Sequence, residues 1–197
     1  MKNTLRYNPP ESWCPKKHKY NNHFFGLVIA CDWVSKHLRA TVPDYEEQSF
    51  KLLEIGSYKG ESTSIFASSR IFDKIFCMDP FEGEEEALSL LGDNWDRVKK
   101  EYYTNTRHWD NINLIQDYSY NQVDNFPDEF FDVIYIDADH SYESVKKEIE
   151  LYTPKCKYII GGHDYHHSPG GVIPAVDEAF GKPDFISTDS SWFKILK

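Results

Sequence analysis

The sequence predicts an α/β chain: a mostly parallel sheet of seven strands, helices on both of its faces, and an antiparallel hairpin at the C-terminal end. Three observations carry this. From residue 50 onwards, short apolar runs rich in β-branched and aromatic residues alternate with segments of helical period, the alternation that builds parallel sheets. The first run, Leu52–Ile55, breaks at Gly56 and Gly60 into helix-forming sequence, the mark of a buried strand turning into a helix. An acid then recurs at the same end of five successive runs, as Glu54, Asp79, Asp117, Asp137 and Asp164. Open α/β sheets bind ligands beyond the carboxyl ends of their strands, near the point where the strand order reverses. Each acid alone is simplest as a solvated loop carboxylate or a helix cap. Their shared position makes the set informative.

Taken in order, residues 1–22 are polar and contain Pro9, Pro10 and Pro15, which reads as an arm. Phe24, Leu27, Val28, Cys31, Val34 and Leu38 recur at helical spacing and predict a helix over His23–Leu38; packing is its simplest role. Residues 1–49 are thus an arm and a helix, and 50–197 one domain. Within it strands are expected at Leu52–Ile55, Lys74–Met78, Ile112–Ile115, Phe131–Ile136 and Tyr158–Ile160, with short ones at Phe185–Ser187 and Trp192–Leu196. Helices are expected at Glu61–Ile71, Glu84–Leu91, Trp95–Tyr103, Tyr142–Tyr152 and Pro174–Phe180. The acids Glu84, Glu85 and Glu86 suit the first turn of a helix. No internal repeat or low-complexity tract is present.

Composition narrows the classes. At 197 residues the chain is long enough for a proper core, and its 16% aromatic content supplies large buried area. The formal charge of −10, without a basic stripe, argues against a nucleic-acid partner. No apolar run approaches the roughly 18–20 residues of a membrane span, and the start lacks the apolar stretch of a signal peptide. Cys14, Cys31, Cys77 and Cys156 are scattered, with no C-x-x-C pair. The expectation is a cytoplasmic protein with reduced thiols.

The glycine loop narrows the ligand. A dinucleotide site wants G-x-G-x-x-G, with a helix N-terminus facing a pyrophosphate. Here the pattern is Glu54-x-Gly56-x-x-x-Gly60, with an acid where a pyrophosphate gains nothing from one. That suits a nucleoside without phosphates and with a cationic group, for which S-adenosylmethionine is the candidate. The loop alone is equally compatible with an ordinary strand-to-helix turn.

Larger motifs add to it. LLEIGSYKGEST (52–63), CMDPFEG (77–83), DVIYIDADHSYESVKKEIELY (132–152), GGHDY (161–165) and GGVIPAVDEAF (170–180) resemble the class I S-adenosylmethionine-dependent methyltransferases. Within them the chain looks most like the small sugar O-methyltransferases of the macrocin and mycinamicin type, over roughly residues 50–197. The resemblance implies a Rossmann-like sheet and methyl transfer to a hydroxyl of a small molecule, such as a sugar or glycoside. It implies that Glu54, Gly56, Ser57 and Gly60 line the methionine and ribose part of the cofactor, and that Asp79 accepts from the ribose hydroxyls. Asp117 and Tyr118 would sit at the adenine. Asp137 would face the cofactor and, with Asp164, hold Mg²⁺, and His140 would be the general base. These roles are chemically coherent: an ionised carboxylate accepts at both oxygens, a hard cation stabilises a developing alkoxide, and imidazole takes a proton near neutral pH. The pattern departs at Tyr165, where related metal-dependent enzymes often place a carboxylate or an amide.

His163, His166 and His167 crowd the loop after the fifth strand and leave two readings open, a polar loop or a transition-metal site. His18, His23, His37 and His108 have no partner pattern. A sugar-modifying NAD(P)-dependent oxidoreductase is the alternative enzyme, disfavoured by the missing G-x-G-x-x-G. A catalytically inactive cofactor-binding protein is the alternative from another class. No membrane partner is expected, and a homo-oligomer stays open.

Overall fold

A computed structural model describes residues 23–83, 93–166 and 170–197. The expected arm, the helix over 84–91, and Cys14, His18 and His167 lie outside them. In chain order the elements are α1 (His23–Thr41), β1 (Lys51–Ile55), α2 (Glu61–Ser69), β2 (Lys74–Met78), α3 (Trp95–Thr106) and β3 (Ile112–Ile115). Then follow α4 (Ser119–Gln122), β4 (Phe131–Ile136), α5 (Tyr142–Tyr152), β5 (Cys156–Gly162), α6 (Val172–Phe180), β6 (Phe185–Ile186) and β7 (Trp192–Ile195). Single 3-10 turns stand at Tyr45–Glu47, Val123–Asn125 and Thr153–Lys155.

The seven strands form one sheet in the order β3-β2-β1-β4-β5-β7-β6. β1 to β5 are parallel, and β7 is antiparallel to both β5 and β6. The expected Rossmann-like arrangement, mostly parallel with a terminal antiparallel hairpin, is therefore what forms. Strand order reverses between β1 and β4, which opens a crevice at their carboxyl ends.

Successive strand residues point to opposite faces, and the core divides accordingly. Leu52, Ile75, Cys77, Val133, Tyr135 and Ile159 pack with α1, α2 and α3 in one cluster. Leu53, Ile55, Met78, Ile134, Ile136 and Ile160 pack with α5 and α6 in the other. α1 belongs to the first of these rather than standing apart: Ala30 and Leu38 are fully buried. The Trp33 ring stacks on Phe185 at 4.9 Å and 11°, and Ser187 Oγ donates to the Gly26 carbonyl, so α1 is tied to the C-terminal hairpin. Two helix starts carry side-chain caps, Asn94 accepting from the Arg97 amide and Ser141 from the Ser144 amide.

Register puts the strand ends in line. Ile55 pairs with Met78 and with Ile136, Met78 with Ile115, and Ile136 with Gly162. The ladder runs one step further, since the amides of Gly56, Asp79, Asp137 and His163 donate to Met78, Ile115, Ile55 and Ile136 in turn. Gly56, Asp79, Asp137 and His163 therefore share one row at the sheet's edge, and Glu54 lies inside it. No helix among the described residues is long and apolar enough to cross a membrane.

Candidate active site

A cavity of about 810 Å³ opens over this row, within the roughly 300–1,000 Å³ of small-molecule sites. Of the residues singled out in the sequence, Gly56, Ser57, Asp79, Asp117, Tyr118, Asp137 and His140 line it. Glu54, Gly60 and Asp164 are not among the lining residues, each for a structural reason; that of Asp164 is its place behind His140.

Glu54 is fully buried on the α2 side of the sheet. Its carboxyl accepts from Ser57 Oγ at 2.9 Å, Ser62 Oγ at 2.5 Å and Thr63 Oγ1, with Cys77 Sγ beside it. It anchors the loop and the start of α2 from beneath rather than lining the cavity. Burial pushes its pKa from the ordinary 4.5 up to about 7 against those three hydroxyls, with Asp137 adding to the rise. Gly60 precedes α2 at φ 73, and a Cβ there would meet Tyr102 and Thr106 side chains at 2.9 and 2.8 Å.

Gly56 has φ 85, and a Cβ there would lie 2.2 Å from the Asp137 carbonyl oxygen. The close approach that requires glycine is thus between the protein's own two loops, after β1 and after β4. Asp79 completes the loop. Its Oδ2 accepts from the Ser57 and Tyr58 amides at 3.0 and 2.7 Å, and its Oδ1 from the Phe81 amide at 2.8 Å. Desolvation raises its pKa, and the three amides pull the other way. Oδ2 thus uses both of its lone pairs on the loop, and Oδ1 keeps one for a ligand hydroxyl.

Asp117 is engaged by its own segment: Oδ1 accepts from the Tyr118 amide and Asn121 Nδ2, Oδ2 from Gln122 Nε2. The Asn121 and Gln122 amides, with the Tyr118 N–H, hold it below the usual carboxylate range. The Tyr118 ring stacks against Tyr120 at 5.2 Å and 16°, leaving a flat aromatic wall beside the cavity.

At the other end Asp137, Asp164, His140 and His163 come together. His140 Nε2 lies 3.2 Å from Asp137 Oδ1 and 3.2 Å from Asp164 Oδ2. His163 Nδ1 lies 3.2 Å from Asp164 Oδ1 and 3.8 Å from Asp137 Oδ1. His140 is exposed and lines the cavity, and His163 is buried. Hydrogen bonding to Asp137 raises the His140 pKa, and the bond from His163 lowers Asp164 to about 2. Donor atoms of Asp137, His163 and Asp164 lie within 4.8 Å of one another, a spacing that could hold one cation. Asp139, next to this group, binds the Ser141 amide and Ser144 Oγ and so fixes the start of α5 behind His140.

His163 and Glu148 are among the lining residues that were not picked out from the sequence as site residues. His163 was read only as one of three loop histidines; its place one step past Gly162 in the register is what sets it beside Asp137. Glu148 is buried on α5 and accepts from Ser119 Oγ at 2.8 Å, while its Oε2 has no hydrogen-bond partner among the described residues. Burial raises it to about 7. A signal existed: Val145, Glu148, Ile149 and Tyr152 fall at helical spacing, so an acid stands inside an apolar stripe.

Comparison with known proteins bears on the family and the fold. Residues 53–165 match a family model described as a methyltransferase domain. A curated relative, an uncharacterized protein of Acanthamoeba polyphaga mimivirus, is 30% identical over 146 residues, covering 68% of this chain and 61% of its own length. The chain thus spans about three fifths of the curated relative it matches. Among solved structures, spermidine synthase from Thermotoga maritima superposes with a TM-score of 0.53 at 16% identity, covering 90% of this chain and 60% of that one. The fibrillarin pre-rRNA processing protein of Methanococcus jannaschii gives 0.51 at 13%, covering 77% and 68%. At such identities the solved structures share the fold.

Proposed function

The chain belongs to the methyltransferase-domain family, whose methyl donor is S-adenosylmethionine, and from that premise we propose that it methylates a hydroxyl of a small molecule, with a sugar or glycoside as the acceptor class. The observation that carries this is the exposed His140 imidazole, 3.2 Å from both Asp137 and Asp164 at one end of the cavity. An alcohol is a poor nucleophile at neutral pH and needs a group to take its proton.

The residues fit the donor. Asp79 and the Tyr118 wall offer a carboxylate for a hydroxyl and an aromatic face for a base, and Glu148 Oε2 leaves at the cavity a buried polar atom with no partner among the described residues. When bound, S-adenosylmethionine supplies an activated methyl on a sulfonium. The chain's part is alignment: Gly56, Ser57 and Asp79 hold one side, while His140, whose Nε2 faces the two carboxylates, receives the acceptor's proton at its other ring nitrogen, Nδ1. Alignment of this kind is worth roughly 7–11 kcal/mol. A divalent cation, Mg²⁺ in the simplest reading, would be held by Asp137 and Asp164 and would supply charge stabilisation for an alkoxide. A cytoplasmic site of action, expected from scattered cysteines without a C-x-x-C pair, belongs to this proposal.

Incubation of the chain with S-adenosylmethionine and a panel of hydroxylated acceptors, read by mass spectrometry, tests the proposal. Methylated product is expected from a sugar-type acceptor, and His140→Ala should lower turnover by roughly 10²–10⁴-fold with cofactor affinity kept. Methylation at nitrogen or carbon only, or undiminished turnover in the variant, would contradict it.

A further inference from the structure

Resting on the reading that Asp137 and Asp164 hold a divalent cation, we infer that His163 is a third ligand and that the site prefers a nitrogen-accepting first-row transition ion, such as Mn²⁺, Fe²⁺ or Zn²⁺, over Mg²⁺.

Spacing is the first argument. Two donors bonded to one ion at about 2.0–2.2 Å lie roughly 3–4.2 Å from each other. His163 Nδ1 is 3.2 Å from Asp164 Oδ1 and 3.8 Å from Asp137 Oδ1, inside that window on both sides. The ring is also fixed in place. His163 is 8% exposed, its amide is tied to the Ile136 carbonyl, and the preceding Gly162 leaves no room for a Cβ beside Trp192 and the Ile136 carbonyl. An ion entering between the carboxylates therefore meets an imidazole nitrogen already there.

Donor chemistry is the second argument. Mg²⁺ dehydrates reluctantly and is usually held through one or two carboxylates with several waters retained. Imidazole suits iron, zinc and their neighbours, and affinity for mixed nitrogen and oxygen sites rises along the first row. Two carboxylates and one imidazole make such a mixed set. His140 Nε2 meets the same spacing, 3.2 Å from Asp137 Oδ1 and from Asp164 Oδ2, but its ring is exposed to the cavity whereas that of His163 is buried. One imidazole is thus placed to hold an ion and the other, exposed to the cavity, to handle a proton. The rival account is a protonated His163 paired with two carboxylates and no ion.

Mn²⁺ serves as the probe, because it substitutes for Mg²⁺ and reports nitrogen ligation through hyperfine coupling in pulsed electron paramagnetic resonance. Chelator-treated full-length protein would be titrated with Mn²⁺ and with Mg²⁺ by calorimetry, then loaded with Mn²⁺ for spectroscopy. One Mn²⁺ per chain is expected, with a directly bound nitrogen. His163→Ala should weaken Mn²⁺ by about 10–100-fold or more, at least the loss typical of altered metal surroundings. His163→Asp should keep an ion, lose the nitrogen signal and narrow the preference for Mn²⁺ over Mg²⁺; His163→Asn serves if the aspartate variant does not fold. Mn²⁺ bound without nitrogen coupling, or a coupling that survives these substitutions, overturns the inference. If Asp137→Asn still abolishes that nitrogen-free binding, the carboxylate cation site stands and only the histidine ligand falls. No binding of either ion removes both.

Discussion

Glu54 shows how one buried side chain can serve a site it does not touch. Its carboxyl collects three hydroxyls from Ser57, Ser62 and Thr63 and so joins the loop after β1 to the first turn of α2. Because its pKa rises from 4.5 in its ordinary state to about 7 in the fold, the native state holds a proton that the unfolded chain gives up between those values. A raised carboxyl lowers stability as pH climbs through that window, the reverse of a salt-bridged acid. Relative to Glu54→Gln, the wild type should lose on the order of 3 kcal/mol between pH 4 and pH 8. Denaturant midpoints of both proteins across that range measure it; parallel curves would show that Glu54 stays ionised. The sequence made Glu54 and Gly56 visible as a pair, but not their direction. Which face a strand residue takes follows from the register with β2 and β4, and the obstruction at Gly56 is a carbonyl 81 residues later in the chain, that of Asp137.

Among the elements, strands were easier to read than the turns between them. β2, β3, β4 and α5 fall on their expected bounds, because each is an apolar run or stripe closed by a polar residue. α1 runs three residues past its expected end at Leu38, to Thr41, and β5 extends at both ends, to Cys156 and Gly162, because pairing with β4 and β7 carries it past its apolar centre. α4 was missed: Ser119–Gln122 has no apolar period, and side chains of Asn121 and Gln122 fold back on Asp117 instead. α1, read as a packing helix, proves part of the main core. Leu38→Ala should therefore cost about 2–5 kcal/mol and lower the single unfolding transition of the whole domain. A separate early transition, with the sheet's midpoint unmoved, would make α1 an appendage.

At the scale of the molecule, the parallel order of β1 to β5 turns scattered acids into one site. Five carboxylates spread from residue 54 to residue 164 become neighbours of one edge, and the reversal between β1 and β4 leaves room there for a ligand. That much was legible from strand-end acids alone. The division of labour was not, since it depends on which atoms are already bonded and which face the cavity. Glu54, Asp79 and Asp117 each accept at least three hydrogen bonds from the protein. Only the last two of these line the cavity, and Asp137 and Asp164 meet at His140. The cavity is expected to bind S-adenosylmethionine through Asp79. Calorimetric titration of the cofactor into the wild type and Asp79→Ala, with the variant's fold checked by circular dichroism, tests it most directly. One site per chain is predicted, weakened by roughly 1.5–3 kcal/mol in the variant, the scale of hydrogen bonds to a charged group. No cofactor binding by the wild type, or equal affinity in a folded variant, would contradict it.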